Sequence, residues 1–115
     1  MNDAVQAELR SLLTDQRQQA QHQIAALTQS FDEIVEAVES SNNDDEHDPE
    51  GTTIAFERAQ VSALLAQARA DLDAVDEAMN KMTNGDYGVC EACHGPISVE
   101  RLRAIPSTVR CIRCA

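Results

Sequence analysis

Two heptad repeats, one on each side of a short acidic segment, constrain this chain more than any other feature. The first repeat has alternating spacings of four and three and contains Leu13, Arg17, Ala20, Ile24, Leu27, Phe31, Ile34 and Val38. The second has the same spacing and contains Ile54, Arg58, Val61, Leu65, Ala68, Leu72, Val75, Met79 and Met82. Because a heptad repeat keeps one face of a helix against a partner, the pattern predicts two long helices that pack through these seams.

The segment between the repeats, residues 42–51, predicts the tip of an antiparallel helical hairpin. It holds no Lys or Arg, and its acidic residues are Asp44, Asp45, Glu46, Asp48 and Glu50. Asp48 before Pro49 is typical of a helix N-cap followed by proline at the first helical position. We expect a cationic surface or a metal ion to face this tip.

The helix ends carry signals of their own. Asp3 with Gln6 predicts a capping box for the first helix, and Asn84-Gly85 predicts the end of the second. Leu9 and its apolar neighbours Val5 and Leu12 lie one residue out of the heptad frame. We therefore expect the first turns to pack on something other than the partner helix.

Periodicity alone leaves open whether the helices pair within one chain or between chains. The short turn favours pairing within the chain, and we predict a monomer. Arg17 and Arg58, at seam positions, are interpreted as register devices with buried stems. Phe56 lies at the outermost heptad position, where it either folds back on the loop or offers an apolar contact to a partner.

Charge and composition narrow the function classes. The chain has 115 residues and a formal net charge of −11, which argues against binding to a nucleic-acid backbone. Its sequence has neither a long apolar run nor the basic-then-apolar start of a signal peptide, so we expect a cytoplasmic protein without a membrane partner.

Four cysteines form two CxxC pairs near the C-terminus. Cys90 and Cys93 are followed after seventeen residues by Cys111 and Cys114. Two such pairs complete a closed tetrahedral set of thiolates, so we predict one structural Zn²⁺, which stabilises a segment too short for its own core. Between the pairs, Ser98 is expected to cap a short helix through Arg103.

Other interpretations of these cysteines fit less well. The haem-attachment pattern CxxCH also occurs at Cys90–His94, but it leaves the second pair unexplained. A thioredoxin-like dithiol lacks its βαβ context. Disulfides are disfavoured in a reducing compartment. A closed four-thiolate site has no open position for water, so we do not expect an enzyme.

The C-terminal motif resembles the four-cysteine zinc finger of the DksA/TraR family. The similarity rests on Gly85-Asp86-Tyr87-Gly88-Val89-Cys90-Glu91-Ala92-Cys93, then Ile97, Arg101-Leu102, Ala104, Pro106 and Cys111-Ile112-Arg113-Cys114. A coiled coil with an acidic tip is also similar to the longer members. The resemblance implies a mainly α protein: an antiparallel coiled-coil hairpin at residues 1–84 and a zinc-finger module at residues 85–115.

The same resemblance implies a bacterial transcription regulator that binds RNA polymerase directly, without DNA, through the secondary channel. Asp45 and Asp48 match the two acids of the family's Asp-x-x-Asp-x-Ala tip, and Glu50 takes the alanine position. Asp44 and Glu50 join them as tip residues. Phe56 and Arg101 are candidate partner contacts. The alternative is a zinc-stapled coiled-coil adaptor for another protein.

Family members that respond to ppGpp, the alarmone of the stringent response, carry basic residues before the signature proline and after the fourth cysteine. This chain has Ile105 and Ala115 there. Neither side chain can donate a hydrogen bond to phosphate. We therefore predict action on polymerase without ppGpp potentiation at the family's site.

Overall fold

The structure is a computed structural model that describes residues 1–40 and 49–115. These residues form three helices. These are α1 (Asp3–Ser40), α2 (Pro49–Asn84) and α3 (Val99–Ala104). Within that part of the chain there is no β-strand, and a single isolated antiparallel bridge joins Val89 to Pro96. The predicted mainly α hairpin with a C-terminal cysteine module is confirmed.

The start of α1 differs from the prediction by one residue. Asn2 is the N-cap: its Oδ1 accepts a hydrogen bond from the Val5 N–H at 2.8 Å. The Gln6 N–H donates to the Asn2 carbonyl oxygen at 3.0 Å. Asp3 is therefore the first helical residue rather than the cap, because Asn accepts this bond as well as Asp does and lies one position earlier.

Both predicted boundaries of α2 are found. Pro49 is its first residue, whereas Asp48 lies outside the described residues. At the other end Gly85 has φ +83°, which glycine adopts without the Cβ penalty of other residues. The Gly85 N–H donates to the Met82 oxygen at 3.3 Å and the Asp86 N–H to the Lys81 oxygen at 2.8 Å. This bond pair is a Schellman motif, which stops the helix and turns the chain into the cysteine module.

The described chain divides into two compact units. One comprises residues 1–19 and 71–115, so it joins both helix ends at the base of the hairpin to the cysteine module. Its core combines side chains of α1, α2 and the module, all buried: Leu9, Leu13, Val75, Ala78, Met82, Tyr87, Cys90, Ile97, Leu102 and Cys111. The expectation that the first turns of α1 pack on something besides the partner helix is confirmed, since Leu9 is 0% exposed within this cluster.

Arg17 acts in this unit as predicted for a seam arginine. Its Nε donates to Asp76 Oδ1 at 2.6 Å, linking α1 to α2. The two side chains are 43% and 42% exposed, so the pair contributes up to about 1 kcal/mol. It therefore favours one register of the helices more than it stabilises them.

The second unit, Ala20–Ala70, holds the remaining seam positions. Ala20, Leu65 and Ala68 are buried. The half-buried seam residues are Ile24, Leu27, Phe31, Ile34, Ile54 and Val61. Val38 is 38% exposed. Arg58 is exposed, which corrects the prediction of a buried stem, because a long charged side chain at a seam position can leave the interface for water.

None of the helices in the described ranges combines the length and apolar content that a membrane crossing needs.

Candidate metal centre

The first CxxC pair is held in a tight loop by its own backbone. The Cys90 N–H donates to the Gly95 oxygen at 2.8 Å, and the His94 N–H donates to the Cys90 oxygen at 2.9 Å. His94 takes φ +60°, a left-handed conformation that closes the turn. Its side chain is exposed, and it is not among the four residues that could hold the metal. These bonds fix the direction in which both thiols leave the backbone.

The second pair has a similar turn and is tied to the first. The Cys114 N–H donates to the Cys111 oxygen at 3.0 Å. The Glu91 N–H donates to the Val109 oxygen at 2.8 Å. Arg110 Nε donates to Glu91 Oε1 at 3.3 Å across the same junction. The two loops are therefore joined through backbone and side chain just outside the thiols.

The four sulfur atoms converge on one point. All four Sγ atoms lie within 4.8 Å of one another, and the Cys93 and Cys111 Sγ atoms are 3.7 Å apart. A tetrahedral Zn²⁺ with bonds of about 2.3 Å places its sulfur ligands about 3.8 Å apart. Cys90 and Cys111 are buried, so the centre is partly enclosed. The set fits one structural Zn²⁺, held by Cys90, Cys93, Cys111 and Cys114.

The pKa values of the thiols differ from one cysteine to the next. Hydrogen bonds from the backbone N–H groups of Cys111 and Cys93 lower the pKa of Cys90 to about 6. Burial opposes ionisation of Cys111, but hydrogen bonds from the Cys114 thiol and from nearby N–H groups outweigh it and lower its pKa. Hydrogen bonds to the neighbouring sulfurs raise the pKa of Cys114 to about 12. Cys114 therefore keeps its proton in the absence of a cation, and Zn²⁺ would replace that proton on binding.

Residues outside the thiol set hold the module together. The buried Tyr87 hydroxyl donates to the Pro106 oxygen at 2.7 Å, and burial raises the Tyr87 pKa to about 12. Ser98 caps α3 as predicted: its Oγ accepts from the Arg101 N–H at 3.2 Å. Arg101 Nε donates to the Arg110 oxygen at 2.8 Å. Arg101, a candidate partner contact, thus also ties α3 to the segment before the second pair.

An ion pair that sequence reasoning missed connects the module to α1. Arg103 Nε lies 3.1 Å from Glu8 Oε1 and 2.8 Å from Glu8 Oε2. The residues are 95 positions apart in the sequence, and no local pattern marks them as partners. The sequence did indicate that this end of α1 packs on another element, because Leu9 lies one residue out of the heptad frame.

The remaining predicted site residues lie away from the metal centre. Asp44, Asp45 and Asp48 lie outside the described residues, and Glu50 belongs to the first turn of α2. Phe56 is 73% exposed, which agrees with the accessible alternative rather than with a side chain folded onto the loop. The acidic tip therefore stays a prediction from the sequence.

Comparison with known proteins gives this geometry a family context. Residues 85–115 match the family described as the prokaryotic dksA/traR C4-type zinc finger. An uncharacterised protein of Aquifex aeolicus (strain VF5) is 46% identical over 46 residues, which are 40% of this chain and 32% of that protein. General stress protein 16O of Bacillus subtilis (strain 168) is 37% identical over 71 residues, 62% of this chain and 44% of that protein. The chain thus spans less than half the length of these two relatives.

A solved structure extends the similarity beyond the zinc finger. The transcription factor DksA2 from Pseudomonas aeruginosa matches with a TM-score of 0.81 at 28% sequence identity, over 99% of this chain and 82% of that one. The match includes both helices as well as the cysteine module. The resemblance first seen in the C-terminal motif is confirmed: residues 85–115 match the dksA/traR C4-type zinc finger, and the chain shares the fold of DksA2 over nearly its whole length.

Proposed function

We propose that this protein is a bacterial transcription regulator that binds RNA polymerase directly. The observation that carries the proposal is the fold it shares, over 99% of its length, with the transcription factor DksA2. The four-cysteine module, which matches the dksA/traR zinc finger, supports the same assignment.

In this proposal the zinc module anchors the protein and the helices present the acidic segment. The hairpin enters the secondary channel of the polymerase, and Asp45 and Asp48 act near the active site. Carboxylates there would meet the catalytic Mg²⁺ or basic side chains that surround it. Asp44 and Glu50 add negative charge, and Phe56, 73% exposed on α2, supplies an apolar contact.

Direct binding to DNA is not part of this function. Binding to a phosphate backbone depends on cationic side chains that displace counterions, and the chain has a formal net charge of −11. The arginines of the zinc module do not form a free basic face either, because Arg103 is paired with Glu8 and Arg110 with Glu91.

Contacts in the module also favour action without ppGpp. Ile105 is 47% exposed and Ala115 is exposed, at the positions where responsive members place basic residues. Three nearby arginines could compensate, but two of them already have partners: Arg101 Nε donates to the Arg110 oxygen, and Arg103 pairs with Glu8. The third, Arg113, is a single exposed cation, whereas a polyphosphate needs several in one place. A polyphosphate would have to displace these bonds, and each lost charge-assisted contact costs about 1.5–3 kcal/mol.

The proposal is tested by capture of purified core RNA polymerase on the immobilised, zinc-loaded protein. We expect saturable binding that a large excess of duplex DNA does not compete away. Absence of binding would refute the proposal and favour the adaptor for another protein.

A further inference from the structure

The loop between the last two cysteines carries a cation with no evident structural task. The zinc module has four arginines: Arg101, Arg103, Arg110 and Arg113. Three of them bind partners within their own unit. Arg101 donates to the Arg110 carbonyl oxygen, Arg103 pairs with Glu8, and Arg110 pairs with Glu91. Arg113 is exposed, and no carboxylate or carbonyl partner for it occurs in residues 1–40 or 49–115.

The residue beside Arg113 is equally unusual. Ile112 is 77% exposed, more than any other large apolar side chain that the structure describes. It lies between the metal ligands Cys111 and Cys114, so the chain cannot rotate it inward without disturbing the zinc centre. Its exposure is therefore built into the loop and contributes nothing to the core.

A recess adjoins these two side chains. It has a volume of about 320 Å³, and besides three ligand cysteines it is lined by Gly95, Pro96, Ser98, Ile112 and Arg113. The surrounding loops are held by zinc and by backbone hydrogen bonds, so a partner would order little of this surface on binding. Preorganisation of this kind lowers the entropic cost of association.

We propose that Ile112, Arg113 and this recess form a docking surface for a polypeptide that presents an apolar side chain next to an Asp or Glu carboxylate. The apolar group would pack on Ile112 at the recess, and the carboxylate would pair with Arg113. A single unpaired arginine beside an exposed isoleucine suits a protein partner. A nucleic acid would require several cations in one place. The inference rests on the proposed function, in which this polypeptide belongs to RNA polymerase.

The test measures equilibrium affinity of the full-length, zinc-loaded protein for core RNA polymerase by biolayer interferometry. Ile112→Ser removes the apolar contact, and Arg113→Glu reverses the charge. The matched controls are Ile105→Ser, at an isoleucine 47% exposed in the same module, and Arg10→Glu, at an exposed arginine of α1. Zinc content is measured for each variant, and Ile112→Ala and Arg113→Gln replace any variant that has lost the metal.

We expect Ile112→Ser and Arg113→Glu each to weaken binding about tenfold or more, as truncation of a central interface residue does, and the controls to bind within about twofold of wild type. If wild type binds and both Ile112→Ser and Arg113→Glu bind with the same affinity as wild type, the docking surface is refuted and the proposed function stands. An equal loss in the controls would also overturn it. Absence of wild-type binding would refute the proposed function and this inference together.

Discussion

Leu9 provides a sharp test of how the zinc module is held. It is 0% exposed and belongs to a cluster that includes Tyr87, Cys90 and Leu102 of the module. Replacement by alanine shortens a fully buried isobutyl side chain to a methyl group and leaves a cavity, which costs about 2–5 kcal/mol. A loss near 3 kcal/mol lowers the midpoint of thermal unfolding by more than about 10 °C for a protein of this size.

The matched control is Leu64→Ala, the same substitution at a side chain 47% exposed on α2. We expect it to change the free energy of unfolding by no more than about 0.5 kcal/mol. Thermal unfolding is followed by circular dichroism on the zinc-loaded proteins. Release of zinc to a chelator should also be faster in Leu9→Ala, because metal affinity includes the folding free energy of the site. Equal midpoints for the two variants would refute the shared core.

Three further predictions concern the metal, the buried tyrosine and the alarmone. Cys90→Ser or Cys111→Ser should abolish stoichiometric zinc binding and unfold the module while residues 20–40 and 49–70 stay helical, and a variant that keeps one zinc by elemental analysis would contradict the ligand set. Burial raises the Tyr87 pKa from 10.0 to about 12. The contribution of the protonated Tyr87 hydroxyl to the free energy of unfolding is therefore complete below pH 10 and is lost as the pH rises towards 12. Tyr87→Phe should lose less stability than wild type over that pH range in urea unfolding, and identical pH slopes would disprove the assignment. The effect of the protein on transcription should be the same with and without ppGpp, measured on a polymerase that has no ppGpp site of its own, and a large ppGpp-dependent gain would show that other arginines build the site.

Local patterns predicted the elements and the metal ligands because the physics behind them is local. Heptad spacing names the residues that face a partner helix, and Leu13, Ala20 and Leu65 are indeed buried. Two CxxC pairs suffice to name four zinc ligands. The end of α2 was also predictable, since a left-handed residue after a helix is usually glycine, as at Gly85.

Features that depend on the meeting of distant segments could not be located in the same way. The Arg103–Glu8 pair joins residues 95 positions apart, and the Tyr87 bond to Pro106 spans 19. The N-cap of α1 was placed one residue late because Asn2 and Asp3 are both good caps, and only the backbone conformation chooses between them. The prediction of a buried Arg58 stem was wrong, because heptad spacing gives the helix face of a residue but not whether a long side chain remains in the interface.

The central claim is that the acidic tip acts on transcription after the protein has bound polymerase. The direct measurement is single-round transcription with purified RNA polymerase at saturating wild-type protein or the double variant Asp45→Asn/Asp48→Asn. The control is Asp15→Asn/Asp32→Asn, which removes the same charge from exposed positions of α1. Asn is as good an N-cap as Asp, so the substitution at position 48 removes the charge while keeping the cap that the sequence predicts there. We predict that the tip variant binds polymerase with wild-type affinity but leaves transcript yield unchanged, whereas wild type and control alter it. A tip variant that regulates as fully as wild type would contradict the account.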